Sequence, residues 1–279
     1  MKRIHLFEFE DLPWFPHWLR ERMTRYIMAM HRLLDTRSML ADLMVRALKY
    51  TNSNHIIDLC SGSGGPMLDV AETLRQQPGL ADLKLTLSDL YPNQETASQL
   101  LQAGDPNTTY LTTPVDAATL GEEKPGVRTL ICSMHHMRPN TAQRILQRAQ
   151  EARQPICVFE ISDNAVPNAL WWLALPIGFL MVFFITPLVR PMTWQQLVFT
   201  YLIPVLPLLI AWDGAVSNVR TYTLQDMDIL LEGLETEDYR WEKGAIKGKG
   251  GAKLYLLGLP KDTPVEKTQP SILEAQPMA

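Results

Sequence analysis

Three glycines follow an acidic residue near position 60, and this combination is typical of a site that holds a nucleotide-like ligand. Asp58 lies in a short apolar run, which predicts a buried strand. Gly62, Gly64 and Gly65 then predict a sharp turn. Apolar residues recur at helical spacing over residues 67–74, which predicts a helix. In such a unit the glycines let the backbone approach the ligand, and free amide groups at the helix start point at it.

A second acidic residue, Asp89, ends a run in which leucines alternate with polar residues over positions 83–88. This period of two predicts a half-exposed strand. A carboxylate at the tip of that strand can accept hydrogen bonds from both hydroxyl groups of a ribose. Asp89 is therefore a candidate ligand-binding residue. The alternative is that it only forms the turn before Tyr91 and Pro92.

Two adjacent histidines, His135 and His136, follow a strand that is predicted over residues 127–132. Ligands of open α/β sheets bind beyond the carboxyl ends of the strands. Histidines suit proton transfer there, because their ordinary pKa lies near neutral pH. Glu160, after a strand predicted at 156–159, points to the same edge and completes a set of three candidate catalytic residues. The alternatives are that one histidine is structural and that Glu160 only holds a backbone amide or an arginine.

The remaining periodicity indicates helices and strands that would position these residues. Helical stripes occupy much of residues 1–54 and residues 94–103, and Thr141 is expected to cap a further helix. Strands are also expected at three other places: residues 110–112, 239–242 and 253–258, the last two joined by a mobile loop at 244–251. Alternation of strands and helices predicts an α/β fold.

Composition narrows the class of protein. The chain has 279 residues, of which 46% are hydrophobic and 20% charged, and this balance suits a globular core. A net charge of −4 argues against a protein that binds nucleic acid through phosphate contacts. Cys60, Cys132 and Cys157 are odd in number and lack metal-ligand spacing, so we predict a reducing compartment and no metal site.

Two long apolar runs depart from the pattern of a soluble enzyme. Residues 164–189 contain no charged residue, and after Arg190 a second charge-free run covers residues 191–212. Each run exceeds the roughly 20 residues that span a hydrocarbon core, and aromatic residues lie near the ends. We therefore expect a transmembrane hairpin, with flanking arginines that keep the enzyme domain in the cytoplasm. The alternatives are a buried helix pair and a hairpin that lies in one leaflet.

The stretch from Asp58 to Gly64 resembles motif I of the class I S-adenosylmethionine-dependent methyltransferases, an acid followed by Gly-x-Gly-x-Gly. Gly62 and Gly64 match its second and third glycines. Cys60 replaces the first glycine, and we expect it to fit with a negative φ. Dinucleotide sites read Gly-x-Gly-x-x-Gly instead, which disfavours NAD(P). The resemblance implies S-adenosylmethionine as the cofactor and a Rossmann-like, seven-stranded sheet.

The resemblance also implies roles for single residues. Asp116 and Ala117 resemble the family's Asp-Ala pair, whose acid accepts a hydrogen bond from the adenine amino group, although Asp116 is equally suited to cap a short helix. The adjacent histidines resemble the His-His that follows the fourth strand of many small-molecule methyltransferases. The predicted cofactor-binding residues are Asp58, Cys60, Ser61, Gly62, Gly64, Asp89, Leu90, Asp116, Ala117 and Ser133.

These observations predict the following organisation and function. The segments are an N-terminal helical cap (1–54), the cofactor-binding core (55–163), the hydrophobic hairpin (164–213), the second part of the core (214–260) and a disordered tail (261–279). The resemblance and the hairpin imply a membrane-associated methyltransferase that O-methylates a hydrophobic small molecule or a lipid-like acceptor. The alternative is a membrane scaffold that keeps an inactive methyltransferase fold. The sequence leaves the acceptor and the oligomeric state open.

Overall fold

The strands form a seven-stranded sheet in the computed structural model, which describes residues 1–120 and 125–261. The strands are β1 (His55–Leu59), β2 (Lys84–Ser88), β3 (Thr108–Tyr110), β4 (Val127–Ile131), β5 (Ile156–Glu160), β6 (Tyr239–Gly248) and β7 (Gly251–Pro260). Their order is β3-β2-β1-β4-β5-β7-β6. The first five strands are parallel, whereas β7 runs antiparallel to β5 and β6. The predicted seven-stranded α/β sheet is confirmed.

Helices cover both faces of this sheet. They are α1 (His17–Leu33), α2 (Thr36–Leu48), α3 (Met67–Arg75), α4 (Gln94–Ala103), α5 (Pro139–Glu151), α6 (Ala174–Ile185), α7 (Trp194–Leu197), α8 (Val205–Arg220) and α9 (Leu224–Leu231). Successive residues of β1 point to opposite faces of the sheet. Ile56 packs in an apolar cluster with α2 and α3 on one face, and Ile57 packs in a second apolar cluster with α5 and α9 on the other. Because strand side chains alternate, a strand buried on both faces reads as an unbroken apolar run.

Three local predictions were wrong. The third strand covers Thr108–Tyr110, two residues earlier than predicted, because these residues pair with β2. Helix α5 begins at Pro139, which needs no N–H partner in the first turn, so Thr141 lies inside the helix and is not its cap. Residues 244–251 form mostly strand: at Gly244 a Cβ would lie 2.8 Å from the Tyr255 ring, so this glycine allows close packing and does not mark a loop.

A third apolar cluster joins α1, α6 and α8 beside the sheet. Phe15 and Met23 from α1 and its preceding turn pack against Val182 of α6 and Leu206 of α8. Residues 1–11, which we call the N-terminal strap, run along α8, and the Ile4 N–H donates to the Val219 carbonyl (2.9 Å). Of the tail predicted at 261–279, all but the first residue lies outside the described residues.

The two apolar runs do not form a simple pair of straight helices. The first run includes one helical segment, Asn168–Leu188, that is long and apolar enough to cross a membrane. The second run is split into Trp194–Leu202 and Val205–Arg220, which are bent by 84° and pass the same test only if they count as one span. Pro204 explains the break, because proline lacks an N–H and forces the residue before it out of the helical region. The prediction of two transmembrane helices is thus not confirmed.

Candidate active site

The turn after β1, residues 60–65, forms the glycine loop of the candidate site. The Ser61 hydroxyl donates to the Asp58 carbonyl (2.9 Å) and accepts from the Ser88 N–H (3.1 Å). The Ser61 N–H in turn donates to the Ser88 carbonyl (3.0 Å). These bonds fix the glycine loop to the end of β2. Ser61 therefore holds the loop through bonds to the protein itself.

The glycine loop adopts left-handed backbone angles from its first residue. Gly62 has φ of 52° and Gly64 of 92°, and a Cβ on Gly64 would lie 2.8 Å from Leu68. Cys60 has φ of 58°, so the expectation of a negative φ was wrong. The chain turns immediately after β1, and a non-glycine residue in this conformation is strained by about 1–2 kcal/mol. Cys60 thus adopts a left-handed conformation that glycine favours.

Asp89 lies opposite the glycine loop. Its Oδ2 accepts from the Gly62 N–H (2.9 Å) and its Oδ1 accepts from the Tyr91 N–H (2.8 Å). The second bond is the turn that the alternative interpretation of Asp89 foresaw. Each carboxylate oxygen has two acceptor positions, so both oxygens retain one for a ligand. Asp89 is half-buried at the mouth between β1 and β2.

The other predicted cofactor-binding residues differ in what they contact. Asp58 is buried and accepts from the Thr129 hydroxyl on β4 (2.6 Å), and burial raises its pKa to about 7. Asp116 is exposed and accepts from the Ala118 N–H (2.9 Å), but residues 117–119 form a turn, so the short helix of the capping alternative is not present. Ala117 is buried and Leu90 is exposed. Ser133, after β4, is buried, and its hydroxyl has no hydrogen-bond partner among the described residues.

The three predicted catalytic residues lie together at the carboxyl ends of β4 and β5. His135 Nδ1 lies 2.8 Å from Glu160 Oε2, and the His135 N–H donates to Glu160 Oε1 (3.1 Å). Since a carboxylate only accepts, the Nδ1 atom carries the proton and Nε2 the lone pair of the neutral ring. The rings of His135 and His136 are 4.2 Å apart. Glu160 thus holds a backbone amide, as the alternative proposed, and also orients the imidazole.

The N-terminal strap adds two carboxylates to this site. Asp11 Oδ1 lies 2.7 Å from His136 Nδ1. Glu8 lies between the two imidazoles, with Oε1 3.9 Å from His135 Nε2 and Oε2 4.0 Å from His136 Nε2. Glu8 is only 2% exposed, and its Oε2 accepts from the Ser217 hydroxyl (2.9 Å). His135 therefore has one ring nitrogen beside a strap carboxylate, and His136 has both.

Arg220, at the end of α8, joins the strap to the histidines. Its Nη1 lies 2.6 Å from Asp11 Oδ2 and 3.0 Å from Glu8 Oε1. Its Nε and Nη2 donate to the carbonyls of His135 (3.3 Å) and His136 (3.0 Å). We call this set the histidine–carboxylate cluster: Glu8, Asp11, His135, His136, Glu160 and Arg220. It combines three carboxylates with one fully buried guanidinium.

Comparisons with known proteins identify the fold. No family model and no curated protein match the chain. Many solved structures do, among them a putative O-methyltransferase from Nostoc punctiforme, which is 12% identical with a TM-score of 0.50 over 88% of this chain and 61% of that one. The chain has the class I methyltransferase fold.

Two further solved structures are similar over most of this chain. The protein LaPhzM is 18% identical with a TM-score of 0.47 over 88% of this chain and 59% of its own. An O-methyltransferase family 2 protein from Planctomyces limnophilus, solved in complex with apigenin, is 12% identical with a TM-score of 0.44 over 86% and 63%. The chain thus spans about three fifths of the length of these three proteins.

Within this methyltransferase fold, the electrostatics of the cluster follow from burial and mutual charge. Burial alone lowers the pKa of His135, but the Glu160 and Glu8 carboxylates outweigh it, so the pKa is raised. Burial favours a higher pKa for Asp11, yet the hydrogen bonds from His136 and Arg220 hold it well below its usual range. Glu10 has no such partner among residues 1–120 and 125–261, and burial raises its pKa to about 8.

Sequence reasoning missed half of the cluster. Glu8, Asp11 and Arg220 were not predicted as site residues. One signal was present: Asp213 and Arg220 lie seven positions apart, on one face of a largely apolar helix, where charged residues need buried partners. Asp213 accepts from the Phe9 N–H (2.8 Å) and the Glu10 N–H (3.2 Å) of the strap.

Proposed function

We propose that the protein is an S-adenosylmethionine-dependent methyltransferase that methylates a hydroxyl group of a hydrophobic acceptor. One observation carries this proposal. The glycine loop with Asp89 and the buried His135–Glu160 pair lie at the carboxyl ends of adjacent strands in one sheet. Ligands of open α/β sheets bind along this edge. A cofactor on the loop would therefore direct its reactive end toward the histidines.

The residues present fit S-adenosylmethionine. Asp89 would accept from both ribose hydroxyls with the acceptor positions that it retains. Gly62 has no side chain, and a Cβ there would meet nothing within 4 Å, so a ligand can approach its backbone. The buried Ser133 hydroxyl, which lacks a partner in the described structure, would gain one from the ligand. Leu90, Asp116 and Ala117 would contact the adenine.

Methyl transfer needs an activated acceptor. S-adenosylmethionine held by the glycine loop and Asp89 would supply the methyl group, which would pass to the acceptor oxygen as its bond to sulfur breaks and would leave a neutral thioether. The protein contributes mainly by positioning the two reactants. His135 is oriented by both oxygens of Glu160, and we assign to it the activation of the hydroxyl group, which loses its proton to this site.

We further infer that the exposed face of the apolar helices docks on a bilayer. The face comprises Trp172, Ile177, Leu180, Phe184, Trp194, Leu202, Ile203 and Leu208, each at least 52% exposed. Exposed apolar patches of this kind mark interaction sites, and aromatic residues favour the membrane interface. Helix α8 also carries Asp213 and Arg220, which are buried against the strap and the histidines. These ties favour helices that lie in one leaflet over helices that cross.

Docking on a membrane supports a lipid-like or otherwise hydrophobic acceptor, which would reach the cleft from the bilayer. We propose the cytoplasmic side of the membrane, because all three cysteines are free and S-adenosylmethionine is made there.

A labelled-methyl assay tests the enzyme proposal. Purified protein, labelled S-adenosylmethionine and a lipid extract of the source cell should give a labelled product, identified by mass spectrometry, and Asp89→Ala should abolish most of the label. Cofactor binding without turnover on any fraction would favour the inactive membrane scaffold instead.

Vesicle flotation tests the membrane proposal. The full-length protein should float with anionic vesicles, and the double change Phe184→Asp and Leu202→Asp should reduce the floating fraction several-fold. Leu101→Asp is the matched control, because Leu101 is 83% exposed but lies on α4, away from this face. Protein that stays soluble and never floats would contradict docking.

A further inference from the structure

The gap between Glu8 and the two imidazoles has the form of a cation site. We propose that Glu8, His135 and His136 bind one divalent first-row transition-metal ion, such as Zn²⁺, at the mouth of the cleft. This inference modifies the earlier prediction that the protein has no metal site. It rests on the proposed function only for the role of the ion, since the binding itself follows from the geometry.

The ligand atoms face one another at a distance that suits an ion better than a hydrogen bond. His135 Nε2 and His136 Nε2 lie 3.9 and 4.0 Å from the two oxygens of Glu8, and all three ligand atoms lie within 4.8 Å of one another. Hydrogen bonds of this type end near 3.2 Å. Bonds of about 2.1 Å in tetrahedral geometry separate ligand atoms by about 3.4 Å, so each Glu8–histidine separation must shorten by about half an ångström.

Both imidazoles are already oriented as metal ligands. His135 Nδ1 is held by Glu160 at 2.8 Å and His136 Nδ1 by Asp11 at 2.7 Å. A carboxylate that accepts the N–H of one ring nitrogen leaves the lone pair of the neutral imidazole on the other nitrogen. Metal-bound histidines almost always have such a hydrogen-bond partner. Both histidines carry this partner, and in both the remaining Nε2 faces Glu8.

Buried polar atoms without partners provide an independent observation. His135 is 5% and Glu8 2% exposed. Among the described residues, His135 Nε2 and Glu8 Oε1 make no hydrogen bond, although Arg220 Nη1 lies 3.0 Å from Glu8 Oε1 in an ion pair. Buried polar atoms are normally satisfied. Arg220 compensates Glu8 Oε1, whereas His135 Nε2 still points to a missing partner.

Charge allows a cation despite the nearby arginine. The cluster contains three carboxylates and the Arg220 guanidinium. A second guanidinium, that of Arg3, lies beside the cluster and donates to the His135 carbonyl (2.7 Å). One negative charge therefore remains when both histidines are neutral. An ion bound by two imidazoles and one carboxylate leaves coordination positions open, and this donor set favours Zn²⁺ or Fe²⁺ over Mg²⁺ or Ca²⁺.

The ion would complete the activation of the acceptor. A metal-bound hydroxyl has a lowered pKa, as metal-bound water does, so its proton leaves to solvent before the oxygen attacks the methyl group. With the ion bound, His135 Nε2 is a metal ligand, so the ion and not the imidazole activates the hydroxyl group. Without the ion, the proton is transferred to His135 as proposed above.

Metal binding can be measured without any acceptor. Full-length protein in detergent, stripped with EDTA, is titrated with Zn²⁺ by calorimetry and with Co²⁺ by visible absorption. We expect one equivalent of Zn²⁺ and a Co²⁺ spectrum with nitrogen ligation. Glu8→Gln and Asp11→Asn should weaken Zn²⁺ binding by about 10–100-fold. Glu10→Gln, a half-buried acid of the same strap outside the cluster, is the matched control and should leave it unchanged.

The outcomes separate the two proposals. Absence of Zn²⁺ and Co²⁺ binding to the unmodified protein, or binding that Glu8→Gln leaves unchanged, overturns the metal site. If a variant fails to fold, the Co²⁺ spectrum of the unmodified protein still decides. Full methyl transfer in EDTA overturns the role of the ion but leaves the methyltransferase proposal intact. Metal binding without S-adenosylmethionine binding leaves the site intact and overturns the proposed function.

Discussion

The candidate site has two sides that differ in how the chain builds them. On the side of β1 and β2, the glycine loop and Asp89 come from one short stretch, and Gly62 and Asp89 are 27 positions apart. On the side of β4 and β5, the cluster joins the strap, two strand ends and the end of α8, and Asp11 and Arg220 are 209 positions apart. The first side depends on backbone conformation and the second on the mutual compensation of buried charges.

This difference predicts different responses to mutation. A substitution in the glycine loop changes only the backbone strain and the contacts of the substituted residue, so its effect on stability is local. In the cluster, each charge compensates a buried opposite charge, so removal of one residue leaves another without its partner. The predictions below test this contrast from the largest expected effect to the smallest.

The largest effect is expected at Arg220, because its loss leaves the carboxylates of Glu8 and Asp11 uncompensated. Arg220→Met should lower the free energy of unfolding by about 3–5 kcal/mol, the range for a broken buried ion pair. Denaturant unfolding in detergent measures it. The control is Arg148→Met, since Arg148 pairs with Glu151 on the surface with its side chain 48% exposed, and should cost under about 1 kcal/mol. Equal losses in both variants would contradict a cluster that depends on buried charge.

The second effect concerns turnover. His135→Ala should lower the rate of methyl transfer by roughly 10²-fold or more, while the Kd for S-adenosylmethionine stays nearly unchanged. Glu160→Gln should retain an intermediate rate, because its amide still accepts a bond from one His135 nitrogen. Rates come from single-turnover assays and Kd values from calorimetry. A His135→Ala variant with full activity would show that positioning alone suffices.

The same contrast explains how much the sequence could predict. Periodicity predicted α4 with its observed bounds, 94–103, and placed β1 and β2 to within one residue. The structure adds the ends of α4, which has Asn93 as its cap and a left-handed Gly104 after it. The pairing of the glycine loop with Asp89 is also local. Such features depend on neighbours in sequence, which a single chain displays directly.

The parts that could not be predicted depend on distant contacts. Nothing near Glu8 reveals that its carboxylate lies between two imidazoles, since those lie more than 120 positions away. The left-handed Cys60 follows from the tight turn after β1, which overrides the preference of the residue. The bend at Pro204 splits a run whose apolar composition alone indicated one helix. Composition reports burial or exposure to lipid, and it does not report how helices are arranged.

The third effect distinguishes two acids that were both predicted to bind the cofactor. Asp89→Ala should weaken S-adenosylmethionine binding by about 1.5–3 kcal/mol, because it removes charged acceptors of the ribose hydroxyls. Asp116→Ala should weaken it by less, about 1 kcal/mol or under, because Asp116 is exposed and one of its oxygens already accepts from the Ala118 N–H. Calorimetry with the non-reactive product S-adenosylhomocysteine gives both values. If Asp116→Ala weakened binding more than Asp89→Ala, the main polar contact between the protein and the cofactor would be at the adenine and not at the ribose.

The smallest effect concerns two glycines in one loop and tests whether its backbone conformation matters. Gly62 and Gly64 both have left-handed φ values, but a Cβ on Gly62 would meet nothing within 4 Å, whereas on Gly64 it would lie 2.8 Å from Leu68 Cδ1. Gly62→Ala should therefore lower the free energy of unfolding by about 1 kcal/mol, from backbone strain alone. Gly64→Ala should lower it by about 2 kcal/mol, because φ of 92° is less accessible to alanine and Leu68 must shift.

Thermal and denaturant unfolding of the two variants measure the difference in the free energy of unfolding, and since both glycines lie in the same turn, other influences largely cancel. Equal losses would mean that the loop relaxes around the added methyl group, and the loop would then be less rigid than its hydrogen bonds to β2 indicate.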